Sequence, residues 1–398
     1  MNILFIGLDR SLCDLRPGHG TLTKNREKRL ARFFKRYAVL ILTPRQPFLS
    51  PEWTAGPLSV SATLSAGPAG MVADAVHMGL AIHRRDRIDL ITTQDPLLAG
   101  LAGYLLKKRL GVPLHIQIHG DYLDNVSWLR ESRLHAWYNR LGHYLLARAD
   151  GVTTVHPGLK EKIQAYRNPS ASPVTALQHG LGIHSNHFYP ACRPVFRSIW
   201  SGQAHRHVVL FAGRLTQQKN LPALLAAVKT VVPRYPQTRF VLAGTGEQKP
   251  FLLKRTQELH LDDNVIWPGR LSETQMPAAY QSSDVFVLPS FYEGHARVLM
   301  EAAVSGLPIV TTDTGGARDV VQDRFNGLLL NRLDPESLAN GLMTILSQME
   351  KYRSAAQARR HEFKTKFDQG PCLADLARQI RSAARPSPSY DLSPATLA

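Results

Sequence analysis

The chain has 398 residues, 44% of them apolar and 20% charged, which excludes a largely disordered protein and favours two domains. Lysine and arginine number 48 against 31 acidic residues, so the formal net charge is +17. The three cysteines, Cys13, Cys192 and Cys372, lie far apart without a Cys-x-x-Cys pair, which argues against a disulfide scaffold and a zinc module. No apolar run is long enough to span a membrane and the chain starts without a basic leader, so we expect a cytosolic protein.

The first half of the chain alternates strand-like and helix-like segments. Strands are predicted at 2–7, 39–43, 88–93, 114–119 and 151–155, and helices at 96–110 and 134–149. This alternation predicts a parallel sheet with helices on both faces, with binding sites at the carboxyl ends of its strands.

The same pattern restarts after a break in apolar periodicity. Strands are predicted at 208–212, 239–243, 284–289 and 308–312, and helices at 221–232, 298–304 and 335–349. We therefore predict two doubly wound, Rossmann-like α/β domains facing each other across a cleft. The predicted limits are a first domain at 1–185, a linker at 186–206, a second domain at 207–367, a helix returning to the first domain at 368–385, and a disordered tail at 386–398.

The segment 24–37 concentrates positive charge, because seven basic residues alternate there with Leu30, Phe33, Phe34 and Tyr37 at helical spacing. Such a helix can lie on an anionic membrane, or its apolar side chains can face the domain core. Nucleic acid is not an expected partner, since the chain shows neither zinc-finger spacing nor an RNA-binding aromatic signature.

The segment 289–302 joins a predicted strand to a predicted helix and carries two carboxylates, Glu293 and Glu301. Gly294 and the amides of residues 295–298 would form a helix N-terminus, which favours a phosphate. A carboxylate beside it can accept hydrogen bonds from sugar hydroxyls. The alternative is an ordinary helix start, where glutamate is favoured by the helix dipole.

The segment 211–220 also joins a strand to a helix. Gly213 permits a tight turn, and Arg214 and Lys219 could converge on a diphosphate. The alternative is two solvated surface cations.

Together these two segments resemble the signature of the family 4 glycosyltransferases, which have the two-domain GT-B architecture. The likeness extends through 305–316 and Asn326-Gly327-Leu328, and so covers most of residues 205–335. The first half is similar more loosely, in His119-Gly120 and in the helix that ends at Ala149-Asp150.

The resemblance implies a retaining transfer of a sugar from a nucleotide-diphosphate sugar to a glycan or lipid-linked acceptor, in surface polysaccharide or glycolipid biosynthesis. By position, Arg214 and Lys219 would hold the diphosphate, Glu301 the ribose and Glu293 the transferred sugar. His119 would lie beside the reacting carbon, although a structural histidine is the alternative. The remaining substrate contacts implied are Gly18, Gly20, Gly269, Arg270, Gly294, His295, Ala296, Arg297 and Val298.

No metal or other cofactor is expected. Arg214, Lys219 and the helix amides can stabilise the negative charge of the departing nucleoside diphosphate. Asp121 and Asp124 could equally be loop or capping residues. The family implies a front-face displacement in which the leaving phosphate helps to deprotonate the acceptor.

The sequence departs from the family pattern in several places. Gly18-His19-Gly20 replaces an adjacent glycine pair, His179-Gly180 replaces the usual Asn-Gly, and His295-Ala296 replaces an aromatic residue and a glycine. Gly244-Thr245-Gly246 resembles a cofactor-binding loop, but a structural role in a turn is the favoured interpretation.

The rival interpretations are a non-catalytic GT-B binding or scaffolding protein, a nucleic-acid binder, and a GT-B phosphorylase or epimerase. No pyridoxal-lysine pocket is identified that would favour a phosphorylase. We expect the enzyme in the cytoplasm, docked peripherally on the inner face of the membrane through residues 24–37.

Overall fold

The computed structural model describes residues 1–16, 20–46, 48–50, 52–167, 172–188, 195–202 and 207–384. The predicted tail at 386–398 lies outside these ranges, and so does Gly18. Of the predicted linker, residues 186–188 and 195–202 are described.

Eight strands form the first sheet, in the order β3-β4-β2-β1-β5-β6-β7-β8. Every pairing is parallel except that of β3 with β4. The strands are β1 Asn2–Gly7, β2 Arg36–Ile41, β3 Glu52–Ala55, β4 Leu58–Ala62, β5 Leu90–Thr93, β6 Leu114–Ile118, β7 Gly151–Thr154 and β8 Thr175–Ala176.

The second sheet has six parallel strands in the order β11-β10-β9-β12-β13-β14. They are β9 His207–Ala212, β10 Thr238–Ala243, β11 Val265–Ile266, β12 Val285–Leu288, β13 Ile309–Thr312 and β14 Gly327–Leu330. The prediction of two doubly wound α/β domains is confirmed.

Helices connect the strands and cover both sheets. Those of the first half are α1 Thr21–Ala31, α2 Pro68–Asp86, α3 Leu98–Leu110, α4 Val126–Glu131, α5 Arg133–Leu146, α6 Pro157–Gln164, α7 Ser185–Phe188 and α8 Arg197–Ser201. Those of the second half are α9 Leu221–Val231, α10 Lys249–Glu258, α11 Met276–Gln281, α12 Arg297–Val304, α13 Pro335–Ser347, α14 Met349–Lys366 and α15 Gln369–Ala383. Short 3-10 turns cover Arg10–Leu12, Gln217–Lys219 and Ala317–Asp319.

The last helix, α15, packs against the first sheet although it follows the second sheet in sequence. Its Leu373 and Leu376 lie in one apolar cluster with Ile3 and Phe5 of β1. The alternate residues of β1, Leu4 and Ile6, face a separate cluster on the other side of the sheet. The domain limits drawn from the sequence stay predictions.

The basic segment 24–37 is not one helix, since α1 ends at Ala31 and Tyr37 lies on β2. Phe34 and Tyr37 are buried and stack on each other with ring centroids 5.5 Å apart. Its apolar side chains therefore belong to the core, and five cations face outward: Lys28, Arg29, Arg32, Lys35 and Arg36.

Candidate active site

The candidate site forms where the loop edges of the two sheets meet. Arg214 and Lys219 follow β9, Glu293 and Gly294 follow β12, and His119 follows β6 of the other sheet. A Cβ atom at Gly294 would lie 1.8 Å from the carbonyl oxygen of His119. Only glycine fits this approach, so the backbones of the two domains are in direct contact at the predicted reaction centre.

Lys219 and Glu293, predicted to hold the diphosphate and the sugar, form an ion pair between Nζ and Oε1. Both side chains are buried, and each charge is compensated by the other. Arg214 is exposed on the same loop as Lys219. The structure thus brings a buried cation, a buried carboxylate and an exposed guanidinium to one sheet edge. Their roles toward a substrate stay predictions.

Glu301, the predicted ribose ligand, is buried in the second turn of α12. It accepts a hydrogen bond of 2.9 Å from the Tyr280 hydroxyl, and its Oε1 lies 3.5 Å from Nη2 of Arg297. Burial raises the pKa of Glu301 above its ordinary value, and Arg297 and Tyr280 oppose the rise. Tyr280 comes from α11, and no motif in the sequence pointed to it.

The side chain of His295 lies between loops of the two halves of the chain, with Nε2 3.4 Å from Oδ2 of Asp319. It also closely approaches Gly180 and Gly316. Burial raises the pKa of Asp319, but His295 and the charge of Lys366 outweigh burial and hold that pKa below its ordinary value. Of the other predicted contacts, Ala296 precedes α12 and Arg297 and Val298 open it.

Gly20 stands before α1 with a φ of +66°, a conformation that favours glycine. At this helix start the amide of Leu22 donates to Oε2 of Glu273, at 2.8 Å. A carboxylate of the second domain therefore occupies the helix end where the Gly20 loop predicted a phosphate. Glu273 was not predicted, because nothing in the sequence links it to a residue 251 positions earlier.

Gly269 and Arg270, predicted to face the base, follow β11, and Arg270 is exposed. The carbonyl of Gly269 accepts from the amide of Gly244, at 2.8 Å. A Cβ atom at Gly244 would lie 1.8 Å from the carbonyl oxygen of Gly213. The turn at 244–246 thus packs closely against the loop that carries Arg214.

A second contact between the domains was also missed in the sequence. The hydroxyl of Tyr292, next to Glu293, donates to Oε1 of Glu131 at the end of α4, at 2.8 Å. Gln218 donates to the carbonyl of Tyr292, at 2.8 Å, and so ties the two loops of the second domain together.

His119 ends a line of hydrogen-bonded polar side chains within the first sheet. Its Nε2 lies 3.0 Å from Oε1 of Gln117, whose Nε2 donates to Oγ1 of Thr92 at 3.1 Å. Since the Gln117 oxygen can only accept, Nε2 of His119 carries the hydrogen and Nδ1 keeps a lone pair. Burial and the charge of Arg26 lower the pKa of His119 to about 4, against the opposing charge of Asp9, so the ring is neutral near pH 7.

The line continues across the sheet through buried groups. Thr92 Oγ1 lies 2.9 Å from Nδ1 of His115, and His115 Nε2 lies 2.8 Å from Oγ1 of Thr153. Thr153 Oγ1 lies 2.8 Å from Oγ1 of Thr175, which donates to the carbonyl of Val152 at 3.2 Å. Burial lowers the pKa of His115 to about 3, with smaller effects of nearby charges, so this ring is neutral as well.

The described residues contain no cluster of three or more histidine, cysteine or carboxylate side chains suited to a metal ion. Asp121 instead pairs with Lys162 at 2.6 Å, and Asp124 pairs with His143 at 3.0 Å. No helix within the described ranges has the length and apolarity to cross a membrane.

Two family models match the chain and together span most of it. The glycosyl transferase 4-like domain matches residues 27–180, and glycosyl transferases group 1 matches residues 196–362. The glycogen synthase of Mycobacterium tuberculosis is 26% identical, over 84% of this chain and 78% of that protein.

Among solved structures, the sucrose-phosphate synthase of Thermosynechococcus elongatus superposes with a TM-score of 0.80 at 19% identity, over 96% of this chain and 99% of that one. HepE of Anabaena, solved in complex with UDP-glucose, superposes with a TM-score of 0.74 at 21% identity, over 96% of this chain and all of that one. Both have the same fold as this chain.

Replacing Gln117 by leucine removes the acceptor of the His119 Nε2 hydrogen. We expect the His119 ring to lose its single tautomer and to populate the Nδ1–H form as well, because no group then selects Nε2. The ¹⁵N chemical shifts of the ring at pH 7 report the tautomer, and Gln379→Leu on α15 serves as the control. Unchanged ¹⁵N shifts of His119 in Gln117→Leu would contradict the assignment.

The buried, neutral His115 makes stability depend on pH. Its pKa is about 3 in the folded protein and 6.5 as the ordinary value, so between these limits the unfolded chain binds a proton that the folded protein does not. The free energy of unfolding therefore falls as the pH falls, by about 2 kcal/mol between pH 7 and pH 5 from this residue. Urea denaturation at both pH values should show a smaller fall for His115→Gln. The control is His77→Gln at an exposed position, and equal falls in all three proteins would refute the expectation.

Proposed function

This chain belongs to the family 4 glycosyltransferases of the GT-B fold, and we propose that it transfers a sugar, with retention of configuration, from a nucleotide-diphosphate sugar to a glycan or lipid-linked acceptor. The observation that carries the proposal is the buried pair of Lys219 and Glu293 beside the exposed Arg214, where the loop edges of the two sheets meet. The complex of HepE with UDP-glucose supports a donor of this class.

The positive charges of Arg214 and Lys219, on the loop after β9, can stabilise the step that breaks the sugar–phosphate bond. Negative charge develops on the departing diphosphate, and Arg214 can meet it as a two-pronged donor while Lys219 meets it as a point charge. Since these two cations can supply the neutralisation, we propose that the reaction needs neither a metal nor another cofactor.

The sugar would occupy the space between Glu293 and His119. Glu293 can accept hydrogen bonds from sugar hydroxyls, and the free lone pair on Nδ1 of His119 can accept another. Glu301 would bind the ribose, and the hydrogen bond from Tyr280 holds its carboxylate in one orientation.

We propose a cytoplasmic location and a role in surface polysaccharide or glycolipid biosynthesis. Residues 24–37 would offer an anionic membrane their five exposed cations alone, since the apolar residues of that segment are in the core.

A thermal-shift panel of UDP, GDP, ADP and their common sugars tests donor binding. At saturating ligand we expect one base to raise the melting temperature by about 5 °C, because ligand binds only the folded protein. Lys219→Ala, Glu301→Ala and Arg214→Ala should each reduce the shift, measured against that variant's own unliganded melting temperature.

The matched controls are Lys229→Ala and Glu336→Ala, which change exposed residues of the same types away from the site. Arg214→Ala is the decisive variant, because Arg214 is exposed, whereas Lys219→Ala leaves the Glu293 charge buried and unpaired. A melting temperature unaffected by every nucleotide and nucleotide sugar would contradict the proposed donor class.

Retention can be tested without knowing the acceptor. The enzyme should slowly hydrolyse its donor, and the sugar released first should have the anomeric configuration of the donor. Proton NMR of the anomeric signals, recorded before mutarotation, distinguishes the two anomers. Release of the opposite anomer would contradict a retaining mechanism and leave the donor assignment intact.

A further inference from the structure

An apolar groove of about 590 Å³ opens on the first domain, and no candidate-site residue lines it. It lies among three helices, α2, α3 and α5. Its lining includes Val72, Val76, Leu101, Leu105, Trp137 and Tyr138. Nothing in the proposed sugar transfer uses this surface.

The helix α5 presents large apolar side chains to solvent along the groove and beyond it. Leu134 is 64% exposed, Trp137 is 54% exposed and Tyr144 is 45% exposed. The spacing of Leu134, Trp137, Tyr138 and Leu141 puts them on one face of the helix. The segment 24–37 differs, because its large apolar residues are turned inward.

Positive charge surrounds this apolar face. The helices α3 and α5 contain no aspartate or glutamate. Five exposed cations stand on them or next to them: Lys108, Arg109, Arg133, Arg140 and Arg148. Among the residues that the structure describes, none of these five cations forms an ion pair.

Two of the cations lie over aromatic rings on this surface. The guanidinium of Arg148 lies 3.6 Å from the ring centre of Tyr144, and Nζ of Lys108 lies 5.8 Å from that of Tyr104. The two tyrosine rings are 5.8 Å apart. Exposed aromatic and aliphatic side chains flanked by cations are typical of helices that lie in a membrane interface.

The topology brings one end of the groove toward the candidate site. The helices α2 and α3 start just after β4 and β5, at the carboxyl edge of the first sheet, and α5 runs back from that edge toward β7. His119 follows β6 at the same edge. A flat surface that contacts the groove would therefore lie beside the cleft.

We propose that the face formed by α3 and α5, with the groove they share with α2, is a docking surface for a bilayer of anionic phospholipid. Leu134 and Trp137 enter the interface between headgroups and acyl chains, and the five cations contact the headgroup phosphates. The lack of carboxylates on both helices is the charge complementarity that favours this partner over a protein surface of mixed charge. This proposal does not depend on the identity of the sugar donor.

Flotation of the full chain with vesicles tests the surface. One set of vesicles contains phosphatidylglycerol and phosphatidylcholine, and the other contains phosphatidylcholine alone. Trp137→Glu should abolish flotation with the anionic vesicles. The matched control is Phe251→Glu on α10, an equal change at a residue that is also 54% exposed, and it should float like the wild type. Circular dichroism and melting temperature establish that both variants fold.

Charge reversals distinguish the contribution of this surface to vesicle binding from the contribution of residues 24–37. Arg133→Glu combined with Arg140→Glu should weaken vesicle binding by about tenfold or more, because each cation near an anionic surface contributes separately. Arg32→Glu combined with Lys35→Glu should weaken it less. Equal flotation of the wild type and the Arg133/Arg140 double variant would overturn the proposal, as would loss of binding in the Arg32/Lys35 variant alone.

Insertion of Trp137 is measured separately from binding. Lipids brominated on their acyl chains should quench part of the tryptophan fluorescence of the wild type, and Trp137→Phe should still bind while losing that quenching. Binding with unchanged quenching in Trp137→Phe would overturn the insertion of this face. Capture of a protein partner by this surface with no vesicle binding would overturn the choice of a bilayer.

Discussion

The close approach of the backbones at Gly294 and His119 constrains how the two halves of this chain meet at the candidate site. A Cβ atom at Gly294 has no space, so the loop after β12 can reach the end of β6 only with glycine at that position. The loops that carry Lys219, Glu293 and His119 meet at this approach. Lys219 and Glu293 lie on one side of it, and the neutral ring of His119 lies on the other.

Burial of the Lys219–Glu293 ion pair costs hydration free energy, and the attraction between the two charges offsets that cost. Two charges taken out of water are stable there only because each faces the other, and breaking such a buried pair by removing one partner typically costs about 3–5 kcal/mol. In the proposed reaction, a substrate phosphate or sugar hydroxyl that binds here would replace one compensating partner of the pair by another. The two side chains are thus already held in place by each other without a ligand, and the proposed electrostatic stabilisation of a departing diphosphate requires groups fixed in advance in this way.

Much of this arrangement follows from the sequence, because the side chains that matter come just after buried strands. Arg214, Lys219 and Glu293 each follow an apolar run, and parallel strands bring their carboxyl ends to one edge. Two further contacts did not follow from it, the hydrogen bond from Tyr280 to Glu301 and the one from the amide of Leu22 to Glu273. Tyr280 and Glu273 reach the site from loops and helices whose position depends on packing over the whole domain. The strands β3 and β4 were missed because they are short and lie in a segment rich in proline. The helix expected at 24–37 ended early because Tyr37 pairs into a sheet that local spacing does not reveal.

The line of hydrogen bonds from His119 to the carbonyl of Val152 makes the tautomer of His119 depend on groups on β7 and β8. Each hydroxyl and each neutral imidazole in it has a single hydrogen to give, so the direction of one hydrogen bond sets the direction of the next. The line ends on the carbonyl oxygen of Val152, which can only accept, and this end orients Thr175, then Thr153 and His115. A backbone group on β7 thus helps to decide which nitrogen of His119 offers a lone pair. A substitution far from the cleft can therefore reverse the direction of every hydrogen bond in the line, and at the site this requires only a half-turn of the Gln117 amide, which exchanges its oxygen and nitrogen.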